Sequence, residues 1–176
     1  MNLLDFQPFI KNRFCPESDP ESLIAHSSGN YIICLRKGSR LPKISIQPTF
    51  TNLDGLQVIY TGISSSSLRT RDYKQHFKGD NAGRSTIRKS LGVLFGYKQI
   101  HRDKNLNSGK TKFSQEDERK LSAWMCENLI LYFFVTSDFN NIEHQLINHF
   151  NPPLNIKDNK NLIRCRGWCF HQPLKV

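Results

Sequence analysis

Six side chains of this 176-residue chain have types and settings suited to handling a phosphate. Two tyrosines lie in short glycine-containing triplets, Gly29-Asn30-Tyr31 and Tyr60-Thr61-Gly62. Arg71 closes Leu68-Arg69-Thr70-Arg71, and His76 follows little more than a helical turn later. Glu143 lies far along the chain, and Asn155 ends Pro153-Leu154-Asn155. A phenol can relay or accept a proton from water if nearby cations lower its pKa from about 10. A guanidinium offers two parallel N–H donors to phosphate oxygens. A carboxylate is a hard oxygen ligand for a divalent ion.

Singly, each residue has an ordinary structural explanation. A strand tyrosine is usually core or interface, and an arginine at a helix start is usually solvated. Glu143 shares its helix side with Leu146 and Ile147, three and four residues on. A carboxylate bordering an apolar stripe is costly to bury alone, so a nearby lysine, an arginine or a metal ion must satisfy it.

Charge adds a class of partner. The chain carries a formal net charge of +10. Between Thr61 and Lys104, ten Lys and Arg residues face three Asp, so this quarter of the chain holds seven of the ten excess charges. Such a block is the footprint expected for a polyphosphate partner, or else a solvated basic helix face. A hydrophobic fraction of 38% and a charged fraction of 23% fit one soluble globular domain. The longest apolar run, Leu129 to Val135, is too short to span a bilayer, so no membrane partner is expected. Met1 to Arg13 lacks the pattern of a secretion signal, which makes the cytoplasm the expected location. The five cysteines are odd in number and irregularly spaced, as reduced thiols would be. Cys165, Cys169 and His171 invite a zinc reading, but they lack the paired spacing of a four-ligand site; small packing residues are the alternative.

The elements that must position these residues follow from period and punctuation. Asn30–Leu35 and Leu56–Ile63 read as strands, the second entered through an Asp54-Gly55 turn, and the two pair as a hairpin with a long connection. Helices are expected over 68–77, over 86–95 with Ser85 or Thr86 as cap, and from Ser114, where Glu116, Asp117 and Glu118 complement the dipole. Leu121, Trp124 and Met125 form the buried stripe of that helix. Leu129–Val135 reads as a buried central strand. A last helix runs from Asp138 or Asn140 to about Phe150 and stops at Pro152-Pro153. Residues 97–113 read as a basic loop, 20–24 as one helical turn, and 167–170 as a short strand. Antiparallel strands beside helices make an α+β domain.

Together, and in this order, the motifs resemble the GIY-YIG nuclease superfamily. It includes homing endonucleases, some restriction endonucleases and the nuclease domain of a bacterial excision-repair protein. Each triplet differs from the family name at one position. The Leu-x-x-Arg after the second triplet matches Leu68 to Arg71, and the later acid matches Glu143, with Asn155 a dozen residues on. His76-Phe77-Lys78-Gly79, Ser85-Thr86-Ile87-Arg88 and Ser90-Leu91-Gly92 are similar to stretches in bacterial members of the superfamily. Two features depart from the pattern. The basic-aromatic position after the arginine is offset, so His76 or Tyr73 could fill it, and a long basic insert spans 79–113.

The resemblance implies an α+β domain with a small, mostly antiparallel sheet of about three strands flanked by helices. The nuclease domain is expected over 29–155, after an N-terminal extension over 1–28 and before a C-terminal tail over 156–176 packed on it. The implied activity is a divalent-metal-dependent DNA endonuclease with a single Tyr/Arg/Glu site. Glu143 would hold Mg²⁺ or Mn²⁺ and Arg71 would bind the phosphate. One of Tyr31 and Tyr60 would be the general base, with Tyr31 preferred. His76 would assist proton transfer or bind phosphate, and Asn155 would orient Glu143 or a tyrosine. Arg69, Lys74, Arg84, Arg88 and Lys89 are candidates to grip nucleic acid, with Lys98, Arg102 and Lys104 beyond them. The alternatives are a nucleic-acid-binding module without cleavage and an RNA-directed nuclease. One site cuts one strand, so double-strand cleavage requires a homodimer or a second binding event.

Overall fold

The computed structural model describes residues 5–42, 48–80 and 82–156. Its centre is an antiparallel sheet in which β2 (Gly29–Leu35) lies between β4 (Leu56–Ser64) and β7 (Leu129–Val135). All seven residues of β2 are buried, as a strand covered on both faces requires. Side-chain alternation divides the core in two. Tyr31, Ile33 and Leu35 point to one face, against Leu68, Phe77, Ile87, Leu91, Leu121 and Met125. Ile32 and Cys34 point to the other, against Phe9, Ile142, Leu146 and Phe150.

Helices α1 (Gln7–Lys11) and α4 (Phe139–Phe150) cover the second face. The first is covered by α2 (Thr86–Leu94), α3 (Gln115–Asn128) and a helix over Arg69–Phe77. That last helix has π winding, with the Lys78 N–H bonding the Tyr73 carbonyl five residues back. The expectation was a helix there without this wider winding, which no residue pattern announces.

The sheet has five strands rather than about three. The additions are β1 (Arg13–Phe14), paired with β7, and β3 (Asn52–Leu53), paired with β4. Two residues are too few to leave a periodic signal. Asp54 and Gly55, with φ of 50° and 74°, make the tight β3–β4 turn. Within the expected loop 97–113, a separate ribbon forms from β5 (Ile100–His101) and β6 (Thr111–Lys112). The caps follow the sequence at two helices: the Ser85 hydroxyl accepts from the Arg88 N–H, and the Ser114 hydroxyl from the Asp117 N–H. The expected strand over 167–170 and the Cys165, Cys169 and His171 set lie outside the described residues.

Candidate active site

The two triplets meet across the β2–β4 ladder. Tyr31 pairs with Gly62, and its ring lies where a side chain at Gly62 would be. A Cβ there would come 2.4 Å from the Tyr31 hydroxyl, so the glycine of the second triplet makes room for the tyrosine of the first. A bulge then re-aims Tyr60. Ile33 pairs with Tyr60 and Cys34 with Val58, which leaves Ile59 as the extra residue. Ile59 and Tyr60 therefore both join the cluster containing Tyr31. The Tyr31 and Tyr60 ring centres lie 6.2 Å apart, and His76 lies 5.4 Å from the first and 6.3 Å from the second. Asn30 ties β2 to α4 through a 2.8 Å bond to the Phe139 carbonyl.

His76 links the phenol to the interior. Its Nε2 is 2.7 Å from the Tyr31 hydroxyl, and its Nδ1 is 2.7 Å from the Ser85 hydroxyl. Burial holds the imidazole pKa well below its ordinary 6.5, and the charges of Arg71 and Arg88 push the same way. The ring is thus neutral and keeps a lone pair for a proton. The phenols shift oppositely to expectation. Burial raises Tyr31 well above 10, helped by Tyr60 and Asp72, and Arg71 opposes this without overcoming it. Burial likewise raises Tyr60, against the Arg71 charge. Both are protonated at rest, because loss of water around a phenolate outweighs one neighbouring cation.

Arg71 reaches this cluster from the helix. Its Nη1 bonds the Gln75 side chain at 2.9 Å and the Arg84 carbonyl at 3.1 Å, and its charge acts on Tyr31, Tyr60 and His76. Glu143 comes from α4, which packs chiefly on β4, and its carboxylate acts on the Tyr60 phenol, raising its pKa. Asn155 closes the β4 edge where β3 has ended. Its Oδ1 accepts the Thr61 N–H and its Nδ2 donates to the Thr61 carbonyl, each at 2.9 Å. Those bonds fix the backbone between Tyr60 and Gly62, a placement not foreseen for Asn155. Among the described residues, no group of three or more His, Cys, Asp or Glu could hold a metal. The half-buried Glu143 carboxylate suits a hard divalent ion that keeps water and phosphate oxygens as its other ligands.

The GIY-YIG catalytic domain family matches residues 29–166, most of the chain. The chain belongs to the GIY-YIG family. No curated protein and no solved structure matches it. A GIY-YIG domain is a nuclease domain, so the chain is a hydrolase acting on nucleic acid. No helix among the described residues is long and apolar enough to cross a membrane.

The cations of this GIY-YIG chain divide sharply. Arg88 is fully buried, and a contact from it to nucleic acid is ruled out. Its Nε and Nη2 bond one Glu118 oxygen at 3.1 and 2.6 Å, and Nη2 also reaches the Glu118 carbonyl. Its Nη1 bonds the His76 carbonyl and the Ser122 hydroxyl. These five bonds match the five N–H donors of a guanidinium, so none is left for a phosphate. The other Glu118 oxygen accepts the N–H groups of Ala82 and Phe113. Arg69 donates to the Ile24 and Ser22 carbonyls, and Lys74 faces Glu21 at 3.8 Å, so both hold the N-terminal segment to the helix. Arg84 is exposed, whereas Lys89 is half-buried, with burial and then Arg102 lowering its pKa.

Two buried acids were not singled out from the sequence. Glu118 looked like a dipole partner equal to Glu116 and Asp117, although Leu121 and Met125 three and seven residues on share its buried face. Asp72 lies between Leu68 and His76 on one helix face and is fully buried; neither carboxylate oxygen has a hydrogen-bond partner among the described residues. Burial raises its pKa well above the ordinary carboxyl value. A cavity lined by Arg36, Arg40, Phe50 and Gln57 opens beyond the end of β2, and none of the catalytic candidates lines it.

Proposed function

We propose that the chain is a divalent-metal-dependent DNA endonuclease with one site, formed by Tyr31, Tyr60, Arg71, His76 and Glu143. The observation that carries this reading is the Tyr31–His76–Ser85 chain, with both bonds at 2.7 Å, beside the Arg71 charge. With its own proton on Nδ1 and held by Ser85, His76 offers the Nε2 lone pair to Tyr31. A water at the Tyr31 hydroxyl can then lose a proton to the phenolic oxygen as the phenol proton passes to His76. No resting phenolate is required, which suits a phenol whose pKa burial has raised.

Arg71 binds the non-bridging phosphate oxygens, where charge accumulates as the water attacks. Tyr60 positions the water or the phosphate, and Asn155 keeps Tyr60 in place by pinning Thr61. Glu143 would hold Mg²⁺ or Mn²⁺, which when bound neutralises phosphate charge and eases departure of the leaving oxygen. Arg84, adjacent to Ser85, and Lys89, four residues further along, remain the helix-side candidates to contact nucleic acid.

The test is incubation with single-stranded DNA, duplex DNA and RNA, with Mg²⁺ and with chelator. Glu143→Gln is expected to lose on the order of 10³-fold in DNA cleavage while its thermal melt stays cooperative. Full activity in that variant, or unchanged cutting in chelator, would refute the metal reading. Cleavage confined to RNA would replace the substrate.

A further inference from the structure

We propose that the β5–β6 ribbon is the element that grips the phosphate backbone of duplex DNA. The proposal rests on the nuclease reading above. Residues 98–112 carry Lys98, Arg102, Lys104, Lys110 and Lys112 against a single acid, Asp103. Ile100 pairs with Lys112 and His101 with Thr111, and the Arg102 N–H bonds the Lys110 carbonyl at 2.9 Å. Cross-strand partners share a face, so Ile100, Arg102, Lys110 and Lys112 belong to one side of the ribbon. Lys98, Lys104 and Lys110 are exposed, and Ile100 is 39% exposed, an apolar side chain left among cations.

The loop side of the ribbon, just past its last strand pair, is tied to the edge of the active site. Arg102 Nη1 bonds the Gly83 carbonyl at 3.1 Å, and Arg71 Nη1 bonds the next carbonyl, that of Arg84, at 3.1 Å. At the other end of the ribbon, Phe113 is buried. The lysines are therefore carried on a frame anchored within one residue of the contact made by the phosphate-binding arginine. A two-stranded ribbon fits the major groove of a duplex, and lysines at its rim reach the phosphates. A two-stranded ribbon standing alone is only marginally stable in water, so a partner that packs on it has a physical role. The grip expected of Arg88 on α2 thus falls to the ribbon, because Arg88 is wholly engaged inside.

The experiment measures binding of the full chain to a short DNA duplex across a salt series in chelator, and kcat/KM for the same duplex with Mg²⁺. Lys98→Gln/Lys104→Gln/Lys110→Gln is expected to weaken binding more than about tenfold and to flatten the salt slope by roughly three units, one per lost contact. kcat/KM falls in parallel. Removing Lys11, Lys37 and Lys120, exposed cations elsewhere, leaves the slope near wild type. Wild-type slope in the ribbon variant, or equal flattening in both triples, overturns the ribbon while the nuclease reading stands. A wild-type chain that neither binds nor cuts DNA overturns both.

Discussion

Arg88 and the ribbon lysines belong to the same basic stretch and have opposite surroundings. Arg88 is fully buried, and five hydrogen bonds join it to Glu118, Ser122 and the His76 carbonyl. Around Lys98, Lys104 and Lys110 there is solvent. Removing an ion from water costs several kcal/mol even after relaxation, and only near-complete pairing offsets that. The inner cation therefore acts as a joint. It connects α2, α3 and the helix carrying His76, while its own N–H bonds the serine that holds the imidazole. Lys98 and Lys104 are exposed, and Lys110 has only a 3.8 Å surface pair with Asp103, which leaves all three available to phosphates. Net charge alone does not separate these fates; what separates them is a carboxylate from another element that reaches the cation inside the core.

Breaking the inner joint and stripping the outer surface should therefore fail differently. The largest effect is expected from His76→Ala, which removes the proton acceptor: kcat falls by about 10²–10⁴-fold while duplex affinity in chelator stays near wild type. The ribbon variants show the reverse balance, and equal movement of both parameters in both sets would dissolve the contrast. Next comes Glu118→Ala, which strands the buried Arg88 charge and should cost about 3–5 kcal/mol in urea unfolding, whereas single ribbon lysines change stability by no more than about 0.5 kcal/mol. Replacing Arg88 and Glu118 together by apolar residues of similar volume should recover most of that loss, since neither charge is then left alone.

A smaller effect isolates the unpaired acid. Burial raises the Asp72 pKa above its ordinary 3.8, so the folded state holds a proton that the unfolded chain releases. Its contribution to stability is full below 3.8 and is lost as pH rises towards the folded value. His76 has the opposite sign: its folded pKa is depressed, so its contribution is full above 6.5 and is lost as pH falls below that. Asp72→Asn, which has no proton to lose, should gain stability relative to the wild type as pH rises above the carboxyl range. Unfolding curves that keep the wild-type pH dependence in Asp72→Asn would count against this assignment.

Much was readable along the chain because it depends on neighbours in sequence. The strands at Gly29–Leu35, Leu56–Ser64 and Leu129–Val135, and the helices after Ser85, Ser114 and Asp138, follow from side-chain period, β-branched and aromatic runs and, at Ser85 and Ser114, caps; the expected cap at Asp138 makes no side-chain capping bond. The spacing of the two triplets, of Arg71 and of Glu143 was enough to suggest the family. Other features depend on groups far apart in the chain, and only the folded structure decided them. The bulge at Ile59 turns Tyr60 towards Tyr31, Asn155 substitutes for a strand at Thr61, and burial raises the phenols that nearby cations were expected to lower. Whether a cation meets Glu118, as Arg88 does, or water, as Lys104 does, is a matter of packing between elements. Residue type sets which bonds a side chain can make, whereas the local dielectric and the partner within reach, both products of tertiary contact, set which bonds it makes.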